Sequence, residues 1–337
     1  MKPVYVSDLI PEQSMTSFFL VASKELRTGP SGRPYLRLEL SDRTGAIDAR
    51  IWDNLEQAAA SFELDDFVKV QGRVETYRGK NQLVVERIRR AEPGEADLAD
   101  FFPHTTEDVD ALYSRLREIV AGVGNPWLRR LLESVIEDAD ILPKLKRAPA
   151  AKAMHHAYLG GLLEHVVSLC ELCHVAAPRY PGVDADLLLA GAVLHDIGKL
   201  DELSYERSFN YTTEGLLLGH IQLAYELVGR KADAIEGFPR ELRTLVLHLI
   251  VSHHGHYEFG SPKLPMFREA ILLHYLDDLD SKMGAVRASL ESEKGEGEWS
   301  AYNAALERRL LRTDLYLREE FSAPVPEQLP LEPPKKG

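Results

Sequence analysis

The apolar pattern along this chain changes period once, and that change limits what the chain can become. Up to about residue 92 apolar residues alternate; from Thr105 they recur at helical spacing. A period of two belongs to a strand with one buried face, and a period near 3.6 to a helix. A chain of 337 residues that holds the two patterns in separate blocks reads as two folded units in series, a β unit and then an α unit.

Within residues 14–92 the alternation can be followed strand by strand. Ser17–Leu26 is apolar with a polar end, and Thr28–Pro34 is a turn-rich loop. Leu36, Leu38 and Leu40 share one face, and beyond the hairpin turn Asp42-Arg43-Thr44-Gly45 so do Ile47, Ala49 and Ile51. Asn54–Phe62 is a short helical insert. Phe67–Tyr77 and Gln82–Arg89 flank the turn Arg78-Gly79-Lys80-Asn81. Five short strands with one helical insert predict a Greek-key barrel of the OB type. Residues 93–104, rich in Pro, Gly and acids, are expected to be a linker. Residues 105–321 are expected to be all helical, with Thr106 capping the first helix and early acids favouring its dipole. The proline-rich residues 322–337 are expected to be a disordered tail. The predicted fold class is multidomain α+β.

The net charge of −13 argues against broad adhesion to nucleic acid or to an anionic membrane. It is unevenly placed: residues 14–92 hold 13 Lys/Arg against 12 Asp/Glu, so the acidity lies in the helical part. No apolar run approaches the ~18 residues that span a bilayer. Met1–Pro11 shows no signal-peptide pattern. The expectation is a cytoplasmic protein without a membrane partner. The two cysteines fall in Cys170-Glu171-Leu172-Cys173-His174, the spacing of a covalent haem site. That stretch reads as part of a helix in a chain without an export signal, so reduced, partly buried thiols are expected instead.

Side chains that ligate metals recur at the ends of apolar helical stretches. His195-Asp196 closes Leu187–Leu194, a stretch expected to be a buried helix, with Gly198 allowing a turn and Lys199 following. His165 lies in Gly160–Val167. His220 follows Gly219. His253-His254-Gly255 closes Leu242–Ser252, and Asp277, Asp278 and Asp280 sit together in Leu272–Lys282. Neutral imidazoles with carboxylates hold borderline and hard divalent metals. Two such ions about 3.5–4 Å apart can clamp the attacking and leaving oxygens of a phosphate ester. A nearby lysine can neutralise charge that develops on the phosphoryl group.

This region resembles the HD-domain phosphohydrolases. The resemblance implies that His165, His195, Asp196 and Asp277 hold one ion. Asp196 would bridge to a second ion completed by His220 and His253, with His254 joining it. Lys199 would contact the phosphate, so Asp196 and Lys199 are the catalytic pair. Asp277-x-x-Asp280 matches the family spacing better than a ligand at Asp278, and Asp280 is expected to support a ligand. A barrel followed by an HD domain is similar to the YhaM-type 3′-to-5′ exoribonucleases. His155–His165, Leu194–Lys199 and Leu273–Met283 carry that likeness. It implies two divalent ions, with Mn²⁺ first and Fe²⁺, Co²⁺, Zn²⁺ or Mg²⁺ as alternatives. It also implies release of nucleoside monophosphates from single-stranded RNA or DNA, and a homo-oligomer.

OB barrels bind single strands by stacking bases on aromatics over a basic groove. The candidates are Tyr35, Arg37, Arg50, Trp52, Arg73, Tyr77, Arg78 and Lys80. Two rival readings stay open at this level: a phosphohydrolase of free or cyclic nucleotides, and a non-catalytic nucleic-acid-binding scaffold.

Overall fold

The computed structural model describes residues 2–29, 32–151, 158–204, 210–292, 297–304 and 306–317. His155, His156 and the expected tail at 322–337 lie outside them.

Five strands close a barrel: β1 (Ser14–Thr28), β2 (Pro34–Asp42), β3 (Gly45–Ile51), β4 (Phe67–Tyr77) and β5 (Lys80–Arg90), in the order β1-β2-β3-β5-β4. Strand β1 is shared. Its first half pairs with β4 and its second half with β2, with a bulge between Val21 and Ser23. The strand begins earlier than its apolar pattern suggests. Ser17 occupies an inward position, fully buried, where its hydroxyl donates to the Val4 carbonyl at 2.6 Å. A polar residue in the inward row hides the alternation. Gly72 lies at a bulge where a Cβ would meet the Val84 carbonyl oxygen at 2.3 Å, so only glycine fits. The alternating leucines of β2 and the apolar face of β3 fill the interior with Phe19, Val68, Val70 and Leu83. A short helix, α1 (Leu55–Ala60), connects β3 to β4.

The helical part comprises α2 (Val109–Ala121), α3 (Pro126–Ile136), α4 (Leu142–Leu145), α5 (Gly161–Ala176), α6 (Ala185–Leu194), α7 (Lys199–Glu202), α8 (Thr213–Asp233), α9 (Arg240–Ser252), α10 (Arg268–Ser292) and α11 (Thr313–Leu317), with a two-stranded pair β6 (Leu203–Ser204) and β7 (Asn210–Tyr211). Helix α6 is buried on every side from Leu187 to Leu194. It is the central rod against which α5, α9 and α10 pack. The cap of α2 is Asp108, not Thr106: the Asp108 carboxylate accepts from the backbone N–H groups of Asp110 and Ala111. The nearby Thr105 hydroxyl donates to Glu164 at 2.6 Å and accepts from the Glu107 N–H at 3.0 Å.

The segment read as a linker does more than connect. It contains a 3₁₀ turn at Leu98–Asp100, followed by Phe101 and Phe102, both buried. Phe101 packs on Phe67 at the start of β4, ring centroids 4.6 Å apart. Barrel residue Leu20 joins the same apolar cluster as the helices. No helix among the described residues is long and apolar enough to cross a membrane.

Candidate metal centre

Five imidazoles converge from four helices. His165 comes from the first turns of α5, His195 from the end of α6, His220 from α8, and His253 and His254 from the end of α9. Each ring is oriented through Nδ1. His165 Nδ1 lies 2.7 Å from Asp280 Oδ2, and His220 Nδ1 lies 3.0 Å from Glu202 Oε1. The other three lie against backbone carbonyls: His195 on Ala192 at 3.0 Å, His253 on Ile250 at 2.8 Å, His254 on Phe259 at 2.7 Å. A ring that donates from Nδ1 keeps its Nε2 lone pair for something else. All five Nε2 atoms face inward.

They face one another in two groups. His165 Nε2 lies 3.3 Å from His195 Nε2, with Asp277 Oδ1 3.2 Å from the first and 3.7 Å from the second. His220 Nε2 lies 3.3 Å from His254 Nε2, and His253 completes that group. Asp196 stands between the groups. Its Oδ2 is 3.3 Å from His195 Nε2, and its Oδ1 is 3.5 Å from His220 Nε2 and 3.7 Å from His253 Nε2. Buried lone pairs pointed at each other without a shared proton repel. Asp196 Oδ1 and His253 Nε2 are buried and lack any hydrogen-bond partner. Orphaned acceptors of this kind fit a cation, and a hard carboxylate with several imidazoles is a donor set for a divalent one.

Charge at the centre follows the same logic. Burial opposes the ionised form of Asp196, but Lys199 and His195 hold its carboxyl well below the usual range. Burial also opposes the charge on Lys199, yet Asp196, 2.5 Å away, raises the lysine pKa. Burial of His165 is outweighed by Asp277 and Asp280, which push it up to about 9, so its Nε2 must release a proton before the ring can ligate an ion. His253 and His254 are driven down, first by burial, and stay neutral donors. Burial disfavours the ionised form of Glu202, but its hydrogen bond from His220 lowers the pKa overall.

The local backbone explains why these residues meet. Gly219, at φ 74° and ψ 158°, breaks α8 just before His220 and turns that ring toward the centre. Gly198 has ordinary helical angles, so it is not there to permit a turn. A Cβ on it would lie 2.0 Å from the His220 carbonyl oxygen, so its role is to let the His195–Lys199 turn touch α8. Asp278 points away and pairs with Lys282 at 2.7 Å, whereas Asp277 lies in the first group. Ser168 donates to the second oxygen of Asp280 at 2.5 Å. His274 donates to the His253 carbonyl at 2.8 Å. His248 is elsewhere, accepting from the Met266 N–H.

The barrel carries a second constellation. Tyr35 and Trp52 stack, centroids 4.7 Å apart. The Arg50 guanidinium lies 5.2 Å from the Tyr35 ring and 5.1 Å from Tyr77. Arg78 lies 5.3 Å from Tyr77, and Arg33 5.9 Å from Trp52. The result is a ladder of aromatic and cationic groups in the order Arg33, Trp52, Tyr35, Arg50, Tyr77, Arg78. Arg37 pairs with Asp48, at 3.0 and 3.1 Å, and Arg33, at the edge of the ladder, also donates to Asp53 at 2.5 Å. Arg73 pairs with Glu12. Lys80 is exposed and contacts no ring of the ladder.

Residues 162–282 match the HD domain model and residues 21–91 the model of an OB-fold nucleic-acid-binding domain. The HD match implies dependence on a divalent metal. A protein of Geobacillus sp. (strain WCH70) named 3′-5′ exoribonuclease YhaM is 37% identical over 293 residues, covering 87% of this chain and 89% of that protein. This chain belongs to the YhaM family. The YhaM protein of Bacillus subtilis (strain 168) is 35% identical over 298 residues, covering 88% of this chain and 94% of the relative. That of Bacillus velezensis is 36% identical over the same length.

Sequence reasoning missed Glu202 and Arg33. Glu202 follows Asp201 in a short polar stretch with no period to mark it, and only the break at Gly219 brings His220 onto it. Arg33 reaches Trp52 through the loop between β1 and β2, 19 residues distant in the chain.

Proposed function

We propose that this chain is a metal-dependent 3′-to-5′ exoribonuclease that removes nucleoside monophosphates from single-stranded RNA. The observation that carries the chemistry is Asp196, whose two oxygens face two separate histidine groups. That placement supports a bridging carboxylate with His165, His195 and Asp277 on one ion, and His220, His253 and His254 on the other. We assign Mn²⁺ to both positions on the mixed imidazole and carboxylate donors. When bound, the ions supply Lewis acidity to the scissile phosphate and lower the pKa of attacking water.

The protein's residues do the rest. Asp196 fixes the spacing of the two positions. Lys199 is held charged beside it and offers a cation to the phosphoryl oxygens. The water oxygen joins phosphorus, and the 3′ oxygen of the preceding nucleotide leaves. The ladder from Arg33 to Arg78 supports base stacking with backbone neutralisation upstream of the cleaved end. DNA is a secondary substrate in this reading, because stacking on a ladder makes no use of the 2′-hydroxyl.

Two free thiols at Cys170 and Cys173 favour the cytoplasm. Self-association is favoured by α10, where Ile271, Tyr275, Leu279 and Met283 recur at four-residue spacing and are all exposed.

The test is incubation with 5′-labelled and 3′-labelled single-stranded RNA, with and without Mn²⁺, alongside Asp196→Ala. Mononucleotide from the 3′ label and a shortening ladder from the 5′ label, absent in the variant, is the expected result. Intact RNA under every metal tried would reject the reading and point to small nucleotides.

A further inference from the structure

The two histidine groups are not equally provided with charge. The first contains a carboxylate of its own, Asp277, and its His165 is backed by a second, Asp280. The second contains three imidazoles and no acid; it shares only one oxygen of Asp196. Two of its imidazoles, His253 and His254, follow each other at the end of α9 and lean on carbonyls of their own neighbourhood. Their placement is set by local backbone. His220 has no such support. It follows a break in α8, and nothing in its own helix orients it.

Glu202 provides what is missing. One of its oxygens, Oε1, accepts both the His220 Nδ1–H at 3.0 Å and the His220 backbone N–H at 2.9 Å. That backbone group is free to donate because the break at Gly219 releases it from the helix. Glu202 is buried and is pinned from its other side. Its carbonyl accepts from the Thr212 N–H at 2.9 Å, and Gly215 approaches so closely that a Cβ there would meet that carbonyl at 2.2 Å. The carboxylate thus fixes the ring's rotation and its tautomer, and it adds the negative charge that the second group lacks.

We infer that Glu202 is a positioning residue that sets the affinity of the second ion, the one held by His220, His253 and His254, without affecting the first. This rests on the two-ion reading above. A carboxylate on the far nitrogen of a ligating histidine raises the ring's basicity, and its removal costs about 10–100-fold in metal affinity.

The experiment is calorimetric titration of metal-free protein with MnCl₂, for wild type, Glu202→Ala and Glu202→Gln, with a thermal melt of each. Wild type is expected to bind two ions. Glu202→Ala should bind the first within about twofold of wild type and the second about 10–100-fold more weakly. Glu202→Gln keeps an acceptor for both N–H groups and loses only the charge, so it should fall between the two while melting as wild type does. It also keeps the question open to measurement if the alanine variant fails to fold. Two unchanged affinities in both variants would overturn the inference and leave the metal centre standing. Equal weakening of both ions with a lowered melting temperature would also overturn it, as a purely structural effect. Wild type that binds no Mn²⁺ would instead reject the two-ion reading itself.

Discussion

Lys199 Nζ lies 2.5 Å from Asp196 Oδ2, and both groups are almost wholly removed from water. The pair ties the cation proposed to face the phosphate to the carboxylate that stands between the two histidine groups. Their removal should have different consequences. Asp196→Ala deletes the shared oxygen pair, so metal content and activity should be lost together. Lys199→Met leaves every candidate ligand in place. It should retain metal while kcat falls by about 10²–10³-fold, the usual cost of one lost electrostatic donor at a phosphoryl or oxyanion site. Metal analysis of purified variants beside single-turnover rates separates the two. Loss of metal in Lys199→Met would move the lysine from catalysis to assembly of the centre.

Gly255 follows the two histidines at the end of α9 with φ +73°, and a Cβ there would come within 2.3 Å of the His274 ring. His274 in turn donates to the His253 carbonyl. Gly255→Ala should therefore destabilise the fold by roughly 2 kcal/mol or more, from left-handed strain plus overpacking. Urea unfolding should show it, with a weaker second-ion affinity as the local sign. A variant as stable as wild type would mean that the turn can relax.

The aromatic ladder lies at the far end of β4 from the helical part. Phe67 begins the strand against Phe101, and Tyr77 ends it beside Arg50. At the ordinary strand rise that separation is on the order of 30 Å. The ladder belongs to the barrel and the metal centre to the helices, so a dinucleotide held at the metal centre is expected not to use the ladder. Trp52→Ala and Tyr77→Ala should each raise KM for a long RNA by about 5–150-fold, the worth of one stacked base. They should leave kcat and dinucleotide hydrolysis unchanged. Equal effects on long and short substrates would mean that the substitutions act through folding.

Cys173 is buried in α5, and burial pushes its thiol up to about 12; Cys170 is pushed up for the same reason. The thiolate is the reactive form, so neither should react with a thiol reagent at pH 8 until the protein unfolds. The folded chain keeps protons that the unfolded chain releases above about pH 9. Stability from these two groups is therefore complete below that pH and declines as pH rises toward 12. Rapid labelling of the native protein at pH 8 would contradict this.

Much of this was legible in the sequence. The alternation at Leu36, Leu38, Leu40 and at Ile47, Ala49, Ile51 marks inward faces, because a strand's period is intrinsic to its backbone. The buried rod of α6 is written in its unbroken apolar run. His165, His195, His220, His253 and Asp277 stand out because ligand-type side chains seldom end apolar helices. Local pattern could not resolve the strand start at Ser14, the cap at Asp108 or the burial of Phe101 and Phe102. The strand start and the buried phenylalanines depend on partners far away in the chain, whereas the Asp108 cap is local and one of several cap-type residues in a row, Thr105, Thr106 and Asp108.

Chain order alone determined which residue types this protein places on which face of each element, since periodicity is local. Tertiary structure alone decided which of those residues share a centre. Glu202 supports His220 only because α8 breaks at Gly219 and folds back on the His195–Lys199 turn, where Gly198 lets the two backbones touch. Arg50 falls between Tyr35 and Tyr77 only because the barrel closes with β3 beside β5. Such contacts are set by packing between distant segments, and no period within one segment records them.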